Sequence, residues 1–239
     1  MRINSQRNES IAKEKEKQQK GHRARLCEKL ITGANDNLLD YEIVELMLFL
    51  IIKRKDTKPI AKNLIAKFKS IDKIISASKE ELLTIDGVGE STFKALRIID
   101  AVIKSVVKSK MAKRNVVDCF EDVLNYCKCY MKNLIEEELR IIFLNSINEV
   151  IKDDIIKKGS INEIEASPRM VVKTCIENGA SGFVLVHNHP SGDPTPSQDD
   201  IYVTKKIKEA AEVFNIKLHD HIIIGGDRAV SFRNLLIIK

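Results

Sequence analysis

Two histidines two residues apart, His187 and His189, precede a loop holding Pro190, Gly192, Pro194 and Pro196, and the loop leads into Ser197 and Asp200. The preceding run, Gly182 to Val186, is almost wholly apolar and reads as a buried strand. Side chains alternate along a strand, so imidazoles at positions i and i+2 point to one face and can share an ion. Asp200 falls in the first turn of the next helix, where it can supply a third ligand. Two neutral imidazoles and one carboxylate make a catalytic type of zinc site, which keeps a fourth position for water. The competing reading takes Ser197 and Asp200 as a helix-capping pair and the histidines as a strand end. That leaves the histidines and the rigid loop behind them without a common purpose.

Other candidates carry less. His219 and His221 form a second H-x-H, but no S-x-x-D follows and they lead into Ile222 to Ile224, as a buried strand would. Cys127 and Cys129 lie in a helical pattern with Phe120, Val123, Leu124, Tyr130 and Met131, so they read as small core residues. Arg169 stands at a helix start, where a surface arginine is the ordinary case. Glu136, Glu137 and Glu138 stand in a row ahead of a β-branched run, an unfavourable place for acid if they end a helix.

The elements that must position these residues alternate. A helix over about Phe120 to Leu134 precedes strands at Leu139 to Asn145 and Val150 to Ile156. Ser167, Pro168 and Arg169 open a helix that ends at Asn178 and Gly179. Then come the strand Gly182 to His189, an amphipathic helix Ser197 to Phe214 and a buried strand His219 to Gly225. The expected fold class is α/β, a mixed sheet flanked by helices over residues 117–239. Residues 1–20 are too polar to bury a core and read as a tail. Residues 21–110 read as a small all-α domain, with Asp40 capping one helix and Pro59 in the first turn of another, and 111–116 as a basic linker.

Charge divides along the same line. Residues 1–115 hold 25 basic and 15 acidic side chains, a net +10, and residues 116–239 hold 15 and 19, a net −4. A polyanion is therefore expected to meet the N-terminal part. There, Ile85-Asp86-Gly87-Val88-Gly89, flanked by Leu82, Leu83, Phe93, Leu96 and Ile99, is similar to a helix-hairpin-helix element. Glycines in such a turn let a phosphate approach the N–H groups of the next helix, a contact that reads DNA backbone and not sequence. Lys94 and Arg97 can add salt-sensitive contacts. The longest apolar run, Ile43 to Ile52, is broken by Glu45 and too short to span a bilayer. The N-terminus is polar, unlike a signal peptide, and the five cysteines form no C-x-x-C pair. A cytoplasmic protein with no membrane contact is expected; oligomeric state is not legible.

H-x-H followed by seven residues and S-x-x-D resembles the JAMM (MPN) metalloprotease motif, and H-N-H-P-S-G-x-x-x-P-S-x-x-D resembles the RadC family in particular. The likeness extends to Gly21-His22-Arg23, Asp40 to Leu48, Arg54-Lys55-Asp56, Pro168-Arg169, Asp220 to Gly225 and Ser231-Phe232-Arg233. It implies a JAMM/MPN-like zinc domain behind a helix-hairpin-helix domain, and a Zn2+-activated water attacking a carbonyl. In that scheme His187, His189 and Asp200 hold the metal, Ser197 supports the tetrahedral intermediate, and a glutamate just ahead of a strand is the general base. Glu138 is the nearest candidate and Glu137 the next. Asp220 and His221 belong to the family pattern as partners that could orient a ligand. The expected function is hydrolysis of a peptide or isopeptide bond, with DNA held by the N-terminal domain and an unknown protein or peptide as substrate. The alternative is a DNA-binding repair or recombination protein whose metal site is structural or nucleolytic.

Overall fold

The computed structural model describes residues 21–32, 38–53, 55–111, 115–116, 120–159 and 167–238. The expected tail, residues 1–20, lies outside them, as do Arg54, Cys119 and residues 112–114 of the expected linker. The chain divides into two compact units after Ala101.

Among the described residues the first unit contains helices and no strand, as expected: α1 (described over residues 21–31), α2 (Asp40–Phe49), α3 (Lys58–Phe68), α4 (Ile71–Ser76), α5 (Lys79–Leu83) and the start of α6 (Glu90–Met111). Val44, Leu48, Ile60, Leu64, Ile74, Leu82 and Leu96 form its core. The division falls inside the unbroken α6, ahead of the linker expected at 111–116. Asp40 is already helical and does not cap α2; the cap position is Leu39, whose N–H donates to the Glu42 carboxylate at 3.0 Å. Pro59 sits in the first turn of α3, where its missing N–H costs nothing. Arg23 donates to the carbonyls of Ile52, Lys53 and Lys55 at 2.8 to 3.1 Å and lies over Phe49, which fixes the chain leaving α2.

The second unit contains α7 (Phe120–Met131), β1 (Glu138–Leu144), β2 (Val150–Lys158), α8 (Pro168–Glu177), β3 (Gly182–Asn188), α9 (Gln198–Glu212), β4 (Lys217–Gly225) and β5 (Arg228–Ser231). The sheet order is β2-β1-β3-β4-β5, with β3 and β4 parallel and every other pair antiparallel. Alternation sends each strand's side chains to two cores. Leu139, Ile141, Phe143, Phe183 and Leu185 meet Val171, Cys175 and Ile207 of α8 and α9, while Ile142, Leu144, Val184 and Val186 meet Val123, Tyr126 and Cys127 of α7. A sheet buried on both faces explains the near-continuous apolar reading of β3. The short β5 was not anticipated; it forms a hairpin with β4 around Gly226, whose φ is +58°. Among the described residues no helix is long and apolar enough to cross a membrane.

Candidate metal centre

β3 runs parallel to β4 through α9, so the carboxyl end of β3 and the amino end of α9 meet at one edge of the sheet, where open α/β sheets place their ligands. His187 and His189 stand at that end of β3, and Asp200 in the first turn of α9. The intervening loop is pinned. The His189 N–H donates to the Ile224 carbonyl at 2.8 Å, and Gly192, at φ +82°, offers its carbonyl to Arg228 at 2.9 Å. Gly225 is required for its lack of a side chain, since a Cβ there would come within 2.6 Å of the Pro194 nitrogen.

The three expected side chains converge. His187 Nε2 lies 2.9 Å from His189 Nε2 and 3.2 Å from Asp200 Oδ1, and His189 Nε2 lies 3.6 Å from Asp200 Oδ2. A tetrahedral zinc with bonds of about 2.0–2.1 Å holds its ligand atoms about 3.3 Å apart, close to the two distances His187 Nε2 makes to His189 Nε2 and Asp200 Oδ1. Proton placement points the same way. His189 Nδ1 faces the Asp193 carbonyl at 2.8 Å; a carbonyl only accepts, so Nδ1 carries the proton and Nε2 offers a lone pair to the cluster. Two imidazole nitrogens and a carboxylate aimed at one point make a donor set that suits a cation. The group is therefore able to hold a metal ion.

Ionisation follows that crowding. Burial opposes charge on Asp200, but its contacts with His187, His189 and Ser197 more than offset it and hold the carboxyl far below the usual carboxylate range. The Asp200 carboxylate in turn raises His189 above its ordinary 6.5, against burial. Ser197 is the cap of α9. Its N–H and hydroxyl both donate to Asp200 Oδ2, at 2.8 and 2.6 Å, and its Oγ accepts the Asp200 N–H at 3.1 Å. The capping reading and the ligand reading of this pair therefore hold together. A hydroxyl has one proton, so here Ser197 orients Asp200 and has none left for an oxyanion.

Glu138 is not brought to the cluster. Leu139 pairs with His187 across the β1–β3 ladder, so their side chains share a face and Glu138 takes the opposite one. There it is buried, bonded to Arg140 at 2.5 Å and to Lys158 at 3.2 Å. Continuing the same register by two residues sets Glu137 against His189. The Glu137 carbonyl accepts the Gly159 N–H at 3.0 Å, which keeps the chain extended there. Glu137 is 8% exposed, and burial pushes its carboxyl above the ordinary value, with His189 opposing and Asp200 adding to the shift. The parity of three adjacent glutamates is set by strand pairing, which local sequence does not reveal.

The second H-x-H does not act as a pair. A register shift at β4, where Phe183 pairs with Leu218 but Val184 with Asp220, leaves His219 as an extra residue and turns it away from His221. His219 lines a cleft with Phe120 and Val123, where burial, with Lys217 and Arg233 adding, lowers it to about 4. His221 is buried and stands 2.8 Å from His187. Asp220 holds Ser231 Oγ at 2.5 Å and the Arg233 and His221 N–H groups, so it fixes β5 and not a ligand. Cys127 and Cys175 are buried thiols pushed up to about 12, which removes them as nucleophiles. Arg169 is exposed beside an apolar cleft formed by Val172, Ile176 and Phe214.

Residues 117–237, about half the chain, match the model of the RadC-like JAB domain. The chain belongs to the RadC family. Residues 58–98 of this RadC chain match the helix-hairpin-helix motif, which covers the Gly87 turn. A UPF0758 protein of Rhodobacter capsulatus is 39% identical over 208 residues, spanning 87% of this RadC chain and 97% of the relative. The helical N-terminal part and the JAB-type sheet expected from the sequence are thus both present.

Proposed function

We propose that this RadC protein is a zinc-dependent hydrolase of JAMM type, cleaving a peptide or isopeptide bond, with an N-terminal domain that holds DNA. The convergence of His187 Nε2, His189 Nε2 and the Asp200 carboxylate on one point, with the His189 proton turned away, carries the reading. These three residues would hold the ion. Zinc so bound supplies a Lewis acid that polarises a carbonyl and lowers the pKa of water toward neutrality.

The chain's own residues do the rest. Glu137, beside His189 and with a raised carboxyl, takes a proton from water at the cluster and returns it to the leaving nitrogen. It replaces Glu138 as the base, because Glu138 faces away and is held by Arg140 and Lys158. Ser197 keeps the Asp200 carboxylate in place through two donated hydrogen bonds. In the first unit, Gly87 takes φ +84° and lies against Ile60, and the turn delivers the amino end of α6. The N–H groups there, with the exposed Lys94 further along α6, suit a phosphate, whereas Arg97 has its Nε and Nη2 buried.

The net charge of +10 before residue 116 and the hairpin motif also favour the second reading, a repair or recombination protein whose metal site is structural or nucleolytic. One experiment separates them. Purified full-length protein, with zinc content measured, is incubated with a peptide library, beside H187A and E137Q. Cleavage by the wild type alone, with zinc retained in E137Q, supports the hydrolase; zinc-loaded wild type without cleavage favours the second reading.

A further inference from the structure

His187 is held from behind by a chain of hydrogen bonds that leads back to its own neighbour in the cluster. His187 Nδ1 lies 2.8 Å from His221 Nε2, His221 Nδ1 lies 2.6 Å from Thr204 Oγ1, and Thr204 Oγ1 lies 2.5 Å from the backbone carbonyl of Asp200. All three side chains are buried, with Thr204 at 0% exposure.

With both rings neutral, every proton in this chain has one possible position. The Asp200 carbonyl can only accept, so the Thr204 hydroxyl must donate to it. Having spent its proton, Thr204 Oγ1 is an acceptor for His221, whose proton must therefore be on Nδ1. His221 Nε2 is then a bare acceptor, and the proton between the two rings belongs to His187 Nδ1. His187 is left with its Nε2 lone pair facing His189 and Asp200. Each single proton is assigned by exclusion, starting from one peptide carbonyl.

We infer that His221 and Thr204 are positioning residues that lock His187 in the tautomer whose Nε2 can bind a cation. The inference rests on the zinc reading of the cluster, though the tautomers themselves do not need the ion. The chain begins on the Asp200 backbone and returns, through His187, to the Asp200 carboxylate. It joins β3, β4 and α9 at the point where the ligands meet, so a shift of α9 is felt at both ligands. Phe232, 4.7 Å from the His221 ring, closes the path behind it.

Removing the Thr204 hydroxyl without changing its shape frees the His221 proton to move to Nε2, which turns the His221 donor toward His187. T204V should therefore lose the Nδ1–H form of His221 and bind zinc more weakly, by about 10- to 100-fold, as is typical when a ligand's hydrogen-bond partner is lost. T204S keeps the hydroxyl and should restore both. Two measurements on full-length protein test this: two-bond nitrogen–proton NMR spectra of the imidazoles at pH 8, with and without zinc, and zinc affinity by competition with a chromophoric chelator. The expected result is Nδ1–H on both His187 and His221 in the wild type, lost in T204V and regained in T204S. Nε2–H on His221 in the wild type would overturn the inference, and that spectrum needs no variant to fold. Unchanged zinc affinity in a folded T204V would overturn it too. A wild type with the expected tautomers that binds no zinc would instead overturn the zinc reading and leave the tautomer lock standing.

Discussion

Leu139 lies directly opposite His187 across the β1–β3 ladder, and that single pairing decides which glutamate can serve the cluster. Glu138 must face α7, where Arg140 and Lys158 neutralise it, and Glu137 faces His189. E137Q should lower kcat by at least about 100-fold while zinc content stays at the wild-type level, a loss typical for a proton-transfer group. E138Q should keep turnover but lower stability by about 1–3 kcal/mol, because Arg140 loses a buried charged partner. Paired kcat and Tm measurements on the two variants check the assignment, and the reverse pattern would restore Glu138 as the base.

How much of this was legible beforehand follows from how local each signal is. His187, His189 and Asp200 were readable because strand alternation and a proline-rich loop fix their relation within fourteen residues of chain. The α/β alternation was readable for the same reason. The parity of Glu136 to Glu138 was not, since it depends on a strand more than forty residues away. The divergence of His219 from His221 was hidden as well, because one extra residue in β4 shows only against its partner β3. Gly225-Gly226-Asp227 is a hairpin signal that could have revealed β5. The family pattern makes Asp220-His221 a possible orienting pair; only His221 reaches a ligand, through a contact between strands.

Proton and metal compete for His189. Its pKa is raised above 6.5, first by the hydrogen bond with Asp200, so protonation begins above that pH as acidity increases. Zinc needs the bare Nε2, so affinity should fall as pH drops from about 8 toward 6, approaching tenfold per pH unit for one displaced proton. Asp200 stays ionised throughout that window, being held far below the carboxylate range. In the metal-free protein the same pair acts with the opposite sign: its stabilisation is complete below 6.5 and fades as pH rises through the raised value. Chelator competition at several pH values tests the slope; a flat profile would count against His189 as a ligand.

Ser197 both caps α9 and holds Asp200. S197A should cost about 1 kcal/mol of stability, the usual loss for a helix cap, and should also weaken zinc binding. S197T keeps a cap hydroxyl and should recover most of both. Urea unfolding of the zinc-free and zinc-loaded proteins separates the two effects. Lost stability with unchanged zinc affinity would restrict Ser197 to the cap.

DNA contact by the first unit should be electrostatic and indifferent to sequence. The full-length protein is expected to bind duplexes of unrelated sequence alike, with log affinity falling linearly against log salt. K94A should reduce that slope by about 1. Fluorescence anisotropy across a salt series is the check, and binding that ignores salt would remove the phosphate contact.

Zinc content and coordination, measured by elemental analysis and X-ray absorption on the purified wild type beside H187A and D200A, bear most directly on the whole proposal. One zinc per chain is expected, bound by two imidazole nitrogens with oxygen completing the shell, and lost from both variants. Wild-type protein that takes up no zinc at micromolar concentrations, or variants that hold it as tightly as the wild type, would contradict the proposed centre.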